Sequence, residues 1–276
     1  MLNFFKKQDL PTVKFLLGRG IDQESTNLWN TLGNMYPVIP ASTDLPEWWS
    51  KLGKSYLNEQ DFTEYPTAKR CPGMYDLMRA GYIIPAWSDF EFMLGSGMDI
   101  KYKMSPILEK FKDPPFHIHR PEQTSGCPMH SNDTGPILKL MSPWYIDMPK
   151  DYSIFLIEPT YAQTNDYSVL PGIMDPAIER APNKEINVFI RLNKPDKVIK
   201  INAGDPLIHI IPFKRQSFKF ECRLPDNEEK SFFNALQNKP FSKILRGIQD
   251  MPAKLAENRF KDNKNYNVQK QRRNET

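Results

Sequence analysis

Proline is the residue type that most constrains how this chain can fold. The 276 residues include 25 prolines and only 13 glycines. A proline inside a helix removes a backbone hydrogen bond and clashes with the preceding turn, so this many prolines leave little room for long helices. Their number favours short strands joined by ordered loops over a helical bundle.

Composition excludes several classes of protein. No apolar run approaches the roughly 20 residues that span a bilayer, and residues 1–7 lack the apolar core of a signal peptide. The three cysteines, Cys71, Cys127 and Cys222, are odd in number and far apart, which argues against a disulfide framework. We therefore expect a cytoplasmic protein that is neither secreted nor bound to a membrane.

Apolar and polar residues alternate along much of the chain, as they do in half-buried strands. Upstream, Asp89–Leu94 and Ile100–Met104 flank a glycine-containing turn and predict a β-hairpin. The pattern is most regular in residues 137–225, where the predicted strands are Ile137–Met141, Trp144–Met148, Ser153–Ile157, Ile186–Leu192, Val198–Ile201, Leu207–Ile211 and Ser217–Cys222. The expected fold is mainly β, of the α+β class, with a barrel or sandwich followed by a helical arm.

The change in composition after Pro225 sets the predicted domain organisation. Residues 1–225 are expected to form one β-rich domain, residues 226–260 a helical arm, and residues 261–276 a basic flexible tail. Asp226 is placed to cap the first helix of the arm, over Asn227–Leu236, and further helical patterns cover residues 241–248 and 252–260.

The positive charge of the chain lies at its C-terminal end. Residues 254–276 hold seven basic and three acidic residues, which accounts for the whole net charge of +4. The neutral remainder argues against a dedicated nucleic-acid-binding face. Lys270, Arg272 and Arg273 are candidates for a weak, salt-sensitive contact with a nucleic acid or an acidic partner.

Two short helices are predicted in residues 45–81. Pro46 can open the first, since its missing N–H is harmless at a helix start. The adjacent Trp48 and Trp49 then point in different directions, so we expect one to pack on the body and the other to be an interaction anchor. Gly81 is expected to end the second helix in a left-handed conformation.

A group of histidines offers a candidate metal site. His117, His119 and His130 are three of the four histidines in the chain, and His117 and His119 would face the same side of a strand. With Glu122, and with His209 completing the set, they form a ligand group that a divalent metal could use. Cupins place such a set inside a β-barrel, which predicts a metal-dependent, cupin-like enzyme as one alternative. The other interpretation is a pair of surface histidines beside a proline-rich loop.

Four segments in residues 144–212 carry a family resemblance. They are Ile146–Ser153 with Pro-x-x-Tyr, Pro171–Asp175, Asn187–Asn193, and Ile201–Ile208 with Gly204-Asp205. In this order they resemble the motifs of dUTPases and dCTP deaminases. The resemblance implies a β-clip-like barrel or sandwich, and it matches Asp175 to the acid that works beside the nucleotide sugar. β-clip domains often trimerise, so it also implies a homo-oligomer, with a trimer as one form.

The chain departs from that family where phosphate chemistry needs a cation. The family's Arg-Ser pair is replaced by residues 158–162, which contain no arginine, and His209 stands in place of a glutamine. The glycine-rich C-terminal motif is absent. These departures predict a degenerate or divergent relative, in which Asp175 accepts backbone hydrogen bonds in a turn.

A second resemblance covers more of the chain. It is carried by Tyr36–Ala41, Leu45–Trp48, Lys69–Pro72, Gly81–Pro85, Ser142–Ile146 and Ile211–Arg215. These segments resemble a family of phage and bacterial proteins with no known activity. The leading expectation is therefore a non-catalytic phage-type protein, a virion structural or assembly component that acts through protein–protein contacts and needs no cofactor. It would be found in the host cytoplasm or the virion.

Overall fold

The alternating segments of the sequence pair into antiparallel sheets. The structure is a computed structural model, and it describes residues 10–95, 99–124, 136–161, 164, 166–176, 184–194 and 197–237. The chain divides into two compact units, Met1–Gln216 and Ser217–Thr276. All the described strands lie in the first unit.

The described strands number fifteen. In chain order they are β1 Lys14–Leu16, β2 Ile39–Pro40, β3 Ser55–Leu57, β4 Glu64–Pro66, β5 Tyr82–Pro85, β6 Phe90–Leu94, β7 Ile100–Met104, β8 Phe116–His119, β9 Ile137–Asp147, β10 Tyr152–Ile157, β11 Tyr167–Val169, β12 Gly172–Met174, β13 Glu185–Leu192, β14 Val198–Ile201 and β15 Pro206–Lys214. The α-helices are α1 Gln23–Met35, α2 Glu47–Lys51, α3 Pro72–Arg79 and α4 Asn227–Gln237.

These strands form two five-stranded sheets and two smaller ones. The first sheet has the order β1-β9-β13-β11, with β8 also paired to β9, and the second has the order β12-β10-β15-β5-β2. A three-stranded sheet, β14-β6-β7, and the hairpin β3-β4 complete the described set. Each of these sheets has free edges, so the architecture is sandwich-like and the described strands do not close a barrel.

The core forms where the apolar faces of the three larger sheets meet. Along β13 the residues Ile186, Val188, Ile190 and Leu192 are buried while the residues between them are half-buried. They belong to one hydrophobic cluster with side chains of β6, β9 and β15. The two-residue period of the sequence therefore sets which side of each strand faces the core.

The predicted class, mainly β with a C-terminal helix, is confirmed. The hairpin predicted around residues 95–99 is formed by β6 and β7. Helix α4 begins after Asp226, whose carboxylate accepts a hydrogen bond from the backbone N–H of Glu229 at 2.9 Å. No helix of the described residues is long and apolar enough to cross a membrane.

Two predicted strands of the first sheet are in fact one. The predicted Ile137–Met141 and Trp144–Met148 join as β9, which continues through Pro143. The ladder between β9 and β13 is irregular between Glu185 and Asn187, opposite this point. A proline fits there because the sheet does not require its missing N–H.

Other differences lie at the two ends of the described chain. The predicted strand Ser217–Cys222 has no strand partner and no regular secondary structure. The helix α1 has no counterpart in the prediction. The predicted helices over 241–248 and 252–260, the tail 261–276 and its residues Lys270, Arg272 and Arg273 lie outside the described residues.

Candidate functional site

His117 and His119 of the predicted metal site lie on β8, an edge strand of the first sheet, and His130 lies outside the described residues. His117 on β8 is exposed and stands opposite Lys139 of β9. His119 packs its ring against Phe189, with 5.4 Å between centroids. Burial, and then the positive charge of Lys139, lower the pKa of His119. Glu122 follows in an exposed turn.

His209 lies in the other large sheet and has both ring nitrogens engaged. Its Nδ1 is 2.9 Å from the hydroxyl oxygen of Thr160, and its Nε2 bonds to the carbonyl oxygen of Ala80. Among the described residues, no group of three or more His, Cys, Asp or Glu side chains is placed to hold a metal ion. The structure therefore does not bring His117, His119, Glu122 and His209 together, because edge strand β8 and central strand β15 belong to different sheets.

Asp175 has a cationic partner that the sequence does not reveal. Arg215, at the end of β15, forms an ion pair with Asp175, just after β12, and also donates to the backbone carbonyl of Lys150 at 2.7 Å. The Arg215 backbone N–H donates to the carbonyl of Asp151 at 2.7 Å. The arginine thus ties the turn before β10 to the end of β12, and its charge is already balanced by the carboxylate.

The second large sheet carries a cavity of about 710 Å³ beside Trp48. Four parts of the chain build its wall: residues 44–48 with Ser50, Met78 with Ile83, residues 159–161, and Pro206 with His209. We call it the Trp48 cavity. Its volume lies within the range of about 300–1,000 Å³ that is usual for ligand sites. The ion pair of Asp175 and Arg215 is not part of its lining.

Trp48 is held in place by its neighbours on both sides. Trp49 is 2 % exposed and anchors the short helix α2 to the body, as expected for one member of the pair. The half-buried Trp48 donates its indole N–H to the carbonyl oxygen of Tyr161 at 3.2 Å. Its ring meets the ring of Tyr161 edge-on, with 6.2 Å between centroids. Two aromatic side chains therefore form one wall.

The backbone of Tyr161 is in an unusual conformation. Its φ is +60°, the left-handed region that costs a non-glycine residue about 1 kcal/mol or more. The bond from Trp48 to its carbonyl stabilises this conformation. The 41 % exposed Tyr161 ring is thereby kept at the rim of the cavity.

His209 forms part of the floor and is neutral. A carbonyl oxygen only accepts, so the bond to Ala80 requires the proton on Nε2, and Nδ1 then accepts from the Thr160 hydroxyl. Burial lowers the pKa of His209, and the bond to Ala80 opposes this only in part. The ring therefore links the loop after β10 to the end of α3 without adding charge.

A hydroxyl bonded to an imidazole also occurs in enzymes that activate a nucleophile. Here the His209 residue is only 1 % exposed, and its lowered pKa makes it a weak base. The contacts of the pair favour a role in fixing the cavity wall over a role in proton transfer.

The charged groups of the cavity wall are both acidic. Among the described residues, those that line the cavity include Asp44 and Glu47 but no lysine or arginine. Glu47 pairs with the exposed Lys51 at 2.6 Å. The carboxylate of Asp44 has no hydrogen bond or ion pair with another described residue, and burial raises its pKa. Asp44 is thus a desolvated carboxylate that lacks a counter-ion.

Two more acidic residues are next in sequence to lining residues. Glu158 and Asp205 directly precede the lining residues Pro159 and Pro206. Burial raises the pKa of Glu158. Burial, and then the charges of Asp205 and Glu158, raise the pKa of Tyr167 to about 12. A lysine also lies close to this part of the chain, because the ammonium of Lys69 is 5.0 Å from the centroid of the Trp49 ring. The groups that favour a positive charge inside the cavity are therefore the lining carboxylates of Asp44 and Glu47.

Sequence patterns pointed to Trp48, and to His209 as a predicted metal ligand, but not to Asp44 or Tyr161. Asp44 directly precedes the segment Leu45–Trp48, and Tyr161 lies in the segment noted only for its missing arginine. Neither shows a spacing that would link the two, because the residues are more than one hundred positions apart. The only local signal for Asp44 was its position shortly before Pro46 and the pair Trp48-Trp49.

No protein-family model, no curated protein and no solved structure matches this chain. The resemblances to a phage family and to the β-clip enzymes therefore rest on sequence motifs alone and stay predictions.

Proposed function

We propose that this chain is a non-catalytic binding protein that holds a basic side chain of a protein partner in the Trp48 cavity. The observation that carries the proposal is a cavity with aromatic walls, an unpaired carboxylate and no cation among its described lining residues. Such a site offers a lysine or arginine both a counter-charge and an apolar surface for its stem.

Both parts of the wall favour a cation. A charge over the face of a tryptophan or tyrosine gains about 0.5–2 kcal/mol, more as the site is desolvated. An opposite charge about 4 Å from a carboxylate near a protein surface is attracted by about 4 kcal/mol before desolvation is counted. Asp44 supplies that carboxylate, and Trp48 and Tyr161 supply the rings.

The dimensions favour a side chain that is part of a peptide. The volume of about 710 Å³ exceeds what one lysine or arginine side chain fills, so the neighbouring main chain also fits. Tyr161 is exposed, so it is accessible for contact with that main chain. A protein ligand also agrees with the predicted role of Trp48 as an interaction anchor.

The direct test is a calorimetric titration with Nα-acetyl-lysine amide and Nα-acetyl-arginine amide. We expect a dissociation constant of about 1 mM, equivalent to about 4 kcal/mol. Nα-acetyl-norleucine amide, which keeps the stem and lacks the charge, should not bind measurably. Equal binding of the norleucine compound would contradict the proposal.

Variants locate the binding in the Trp48 cavity. Asp44→Asn should weaken lysine-amide binding at least tenfold, because it removes the counter-charge. Trp48→Phe should weaken it about threefold, because it replaces the indole with a smaller ring. Glu59→Gln is the matched control, since it removes an exposed carboxylate from the turn between β3 and β4. Unchanged affinity in Asp44→Asn would refute the assignment. A non-catalytic role also predicts no hydrolysis of p-nitrophenyl acetate above the buffer rate.

A second candidate rests on the pairing of Asp175 with Arg215. Residues 158–162 lack the arginine of the β-clip enzymes, and Arg215 could supply a cation beside Asp175 in its place. The alternative function is therefore a divergent nucleotide hydrolase or deaminase. It requires that a triphosphate displace the carboxylate from Arg215. Assays with dUTP and dCTP test it, and Arg215→Met should then abolish turnover; absence of any turnover in the unmodified protein would eliminate it.

The expectation of a phage virion component stays a prediction from the sequence. Its support is the motif resemblance and a partner-binding cavity that suits assembly. Copurification of the chain with virus particles would favour it, and its absence from purified particles would count against it.

A further inference from the structure

The described part of the second unit carries large apolar side chains that are exposed. Phe218, Phe220 and Leu224 are 79 %, 87 % and 86 % exposed, and Phe232 and Phe233 of α4 are 57 % and 51 % exposed. Exposed apolar side chains grouped along one short segment indicate an interaction surface.

The segment 217–224, which we call the arm, has the pattern of a strand without a partner. Phe218, Phe220, Cys222 and Leu224 alternate with Lys219, Glu221 and Arg223. The arm contains no helix, turn or bend, and it makes no backbone-to-backbone hydrogen bond within the described part of the second unit. Unpaired backbone groups of this kind are a template for pairing with another strand.

The charges of the arm complement those of a second arm. In an antiparallel pair with Phe220 opposite Phe220, Lys219 of each copy lies opposite Glu221 of the other. On the apolar side, Phe218 then lies opposite Cys222. Such cross-strand pairs each stabilise a sheet by about 0.2–1 kcal/mol.

Within one copy, Glu221 already accepts a hydrogen bond from the Nε of Arg223 at 2.6 Å, so the proposed bond from Lys219 of the other copy is shared with that contact. Arg223 holds Glu229 with two bonds, of 2.7 and 2.8 Å. Lys219 has no ion-pair partner among the described residues, so pairing gives it one. Pro225, which cannot donate to a ladder, falls outside the paired residues.

The exposed apolar area is close to what one side of a stable dimer buries. Taking about 200 Å² for a fully exposed large side chain, the five apolar residues expose about 700 Å² together. A standard interface buries about 800 Å² on each partner. A two-stranded ribbon alone is only marginally stable in water, and Phe232 and Phe233 of α4 add apolar area to the interface.

We propose that the arm pairs with the arm of a second copy of this chain, as an antiparallel ribbon about a twofold axis at Phe220. The same surface is then used on both copies, as a twofold interface requires. Phe232 and Phe233 extend the apolar contact beyond the ribbon. The proposal is independent of the Trp48 cavity.

Sedimentation equilibrium of the full chain measures the association. A dimer with a dissociation constant of about 10 μM or tighter is expected. Phe220→Lys should raise that constant about a hundredfold, because it removes the central ring from both copies. Phe62→Lys is the control, since Phe62 is 80 % exposed in the first unit and its loss should leave the dimer unchanged.

A charge exchange tests the register in trans. Lys219→Glu places Glu opposite Glu, and Glu221→Lys places Lys opposite Lys, so each variant alone should dimerise about tenfold more weakly. Mixing the two variants restores both opposite-charge pairs and should restore wild-type association. Wild-type protein that stays monomeric at 100 μM or above, on the order of ten times the expected constant, overturns the proposal. So does an insensitive Phe220→Lys variant, or a mixture no tighter than its parts.

Discussion

The most specific stability prediction concerns Arg19, a buried charge that joins distant parts of the first unit. Its guanidinium donates to the carbonyl oxygen of Ser142 at 2.6 Å and to the carboxylate of Glu185 at 2.7 Å. It also lies over the ring of Trp29, with 5.2 Å to the centroid. The loop before α1 is thereby fastened to β9 and β13. We predict that Arg19→Met destabilises the unit strongly.

The magnitude follows from what the substitution leaves behind. The side chains of Arg19 and Glu185 are only 8 % and 18 % exposed, and burial is the main cause that lowers the pKa of Arg19, with Glu185 opposing it. Without Arg19, the Glu185 carboxylate keeps, among the described residues, only the hydrogen bond from the hydroxyl of Tyr145, at 3.2 Å. Removing one partner of a buried pair costs about 3–5 kcal/mol, which for a unit of this size lowers Tm by roughly 10 °C.

Urea denaturation with a double-mutant cycle is the assay. Arg19→Met and Glu185→Met should each be costly, whereas the double variant should lose less than the two added together, because neither charge then remains unpaired. Lys14→Met is the control: the pair Lys14–Asp147 is exposed at 3.4 Å, and its loss should cost less than about 1 kcal/mol. A loss below about 1 kcal/mol for Arg19→Met, or strict additivity in the cycle, would refute the reasoning.

Three further predictions concern the same unit. Because burial holds the pKa of His209 below its unfolded value of about 6.5, the unfolded chain binds the extra proton first, so the free energy of unfolding should fall as pH drops below about 6.5. His209→Gln should flatten that dependence in urea titrations between about pH 7 and 5; an unchanged slope would contradict the assigned burial. Gly81→Ala should cost about 3 kcal/mol or more, because Gly81 has φ +68° and an added Cβ would collide with the carbonyl of Ile210. Gly204→Ala, with φ +88° but only ordinary contact with Tyr36 at 3.5 Å, should cost about 1–2 kcal/mol, and equal losses at the two glycines would exclude the collision as the cause. Lowering the pH should also weaken lysine-amide binding before an ordinary aspartate would protonate, because the pKa of Asp44 is raised by burial; pH-independent affinity down to about pH 4 would remove Asp44 from the site.

Structural features that are set by residues close together in the sequence could be predicted from the sequence. The strand Val198–Ile201 has the predicted bounds, Gly81 ends α3 in the left-handed conformation, and Asp226 precedes α4. Each is signalled within a few residues, by a two-residue apolar period or by a capping residue.

Helix α1 shows where local signals were present but weak. Asp22 and Ser25 form its capping box, yet the helix is rich in Asn, Thr and Ser, which have modest helix propensity. Its stability comes from burying Trp29 and Leu32 in the core. Tertiary packing rather than propensity therefore decides this helix.

The sequence by itself determined which segments alternate, where chains turn and which residues cap, because those properties act over a few positions. The tertiary structure alone decided that Asp44 and Tyr161 share a cavity, that Arg215 reaches Asp175, and that Arg19 meets Glu185 from 166 positions away. Such meetings depend on the order of strands in the sheets, and a strand's own pattern specifies its buried face but not its neighbour.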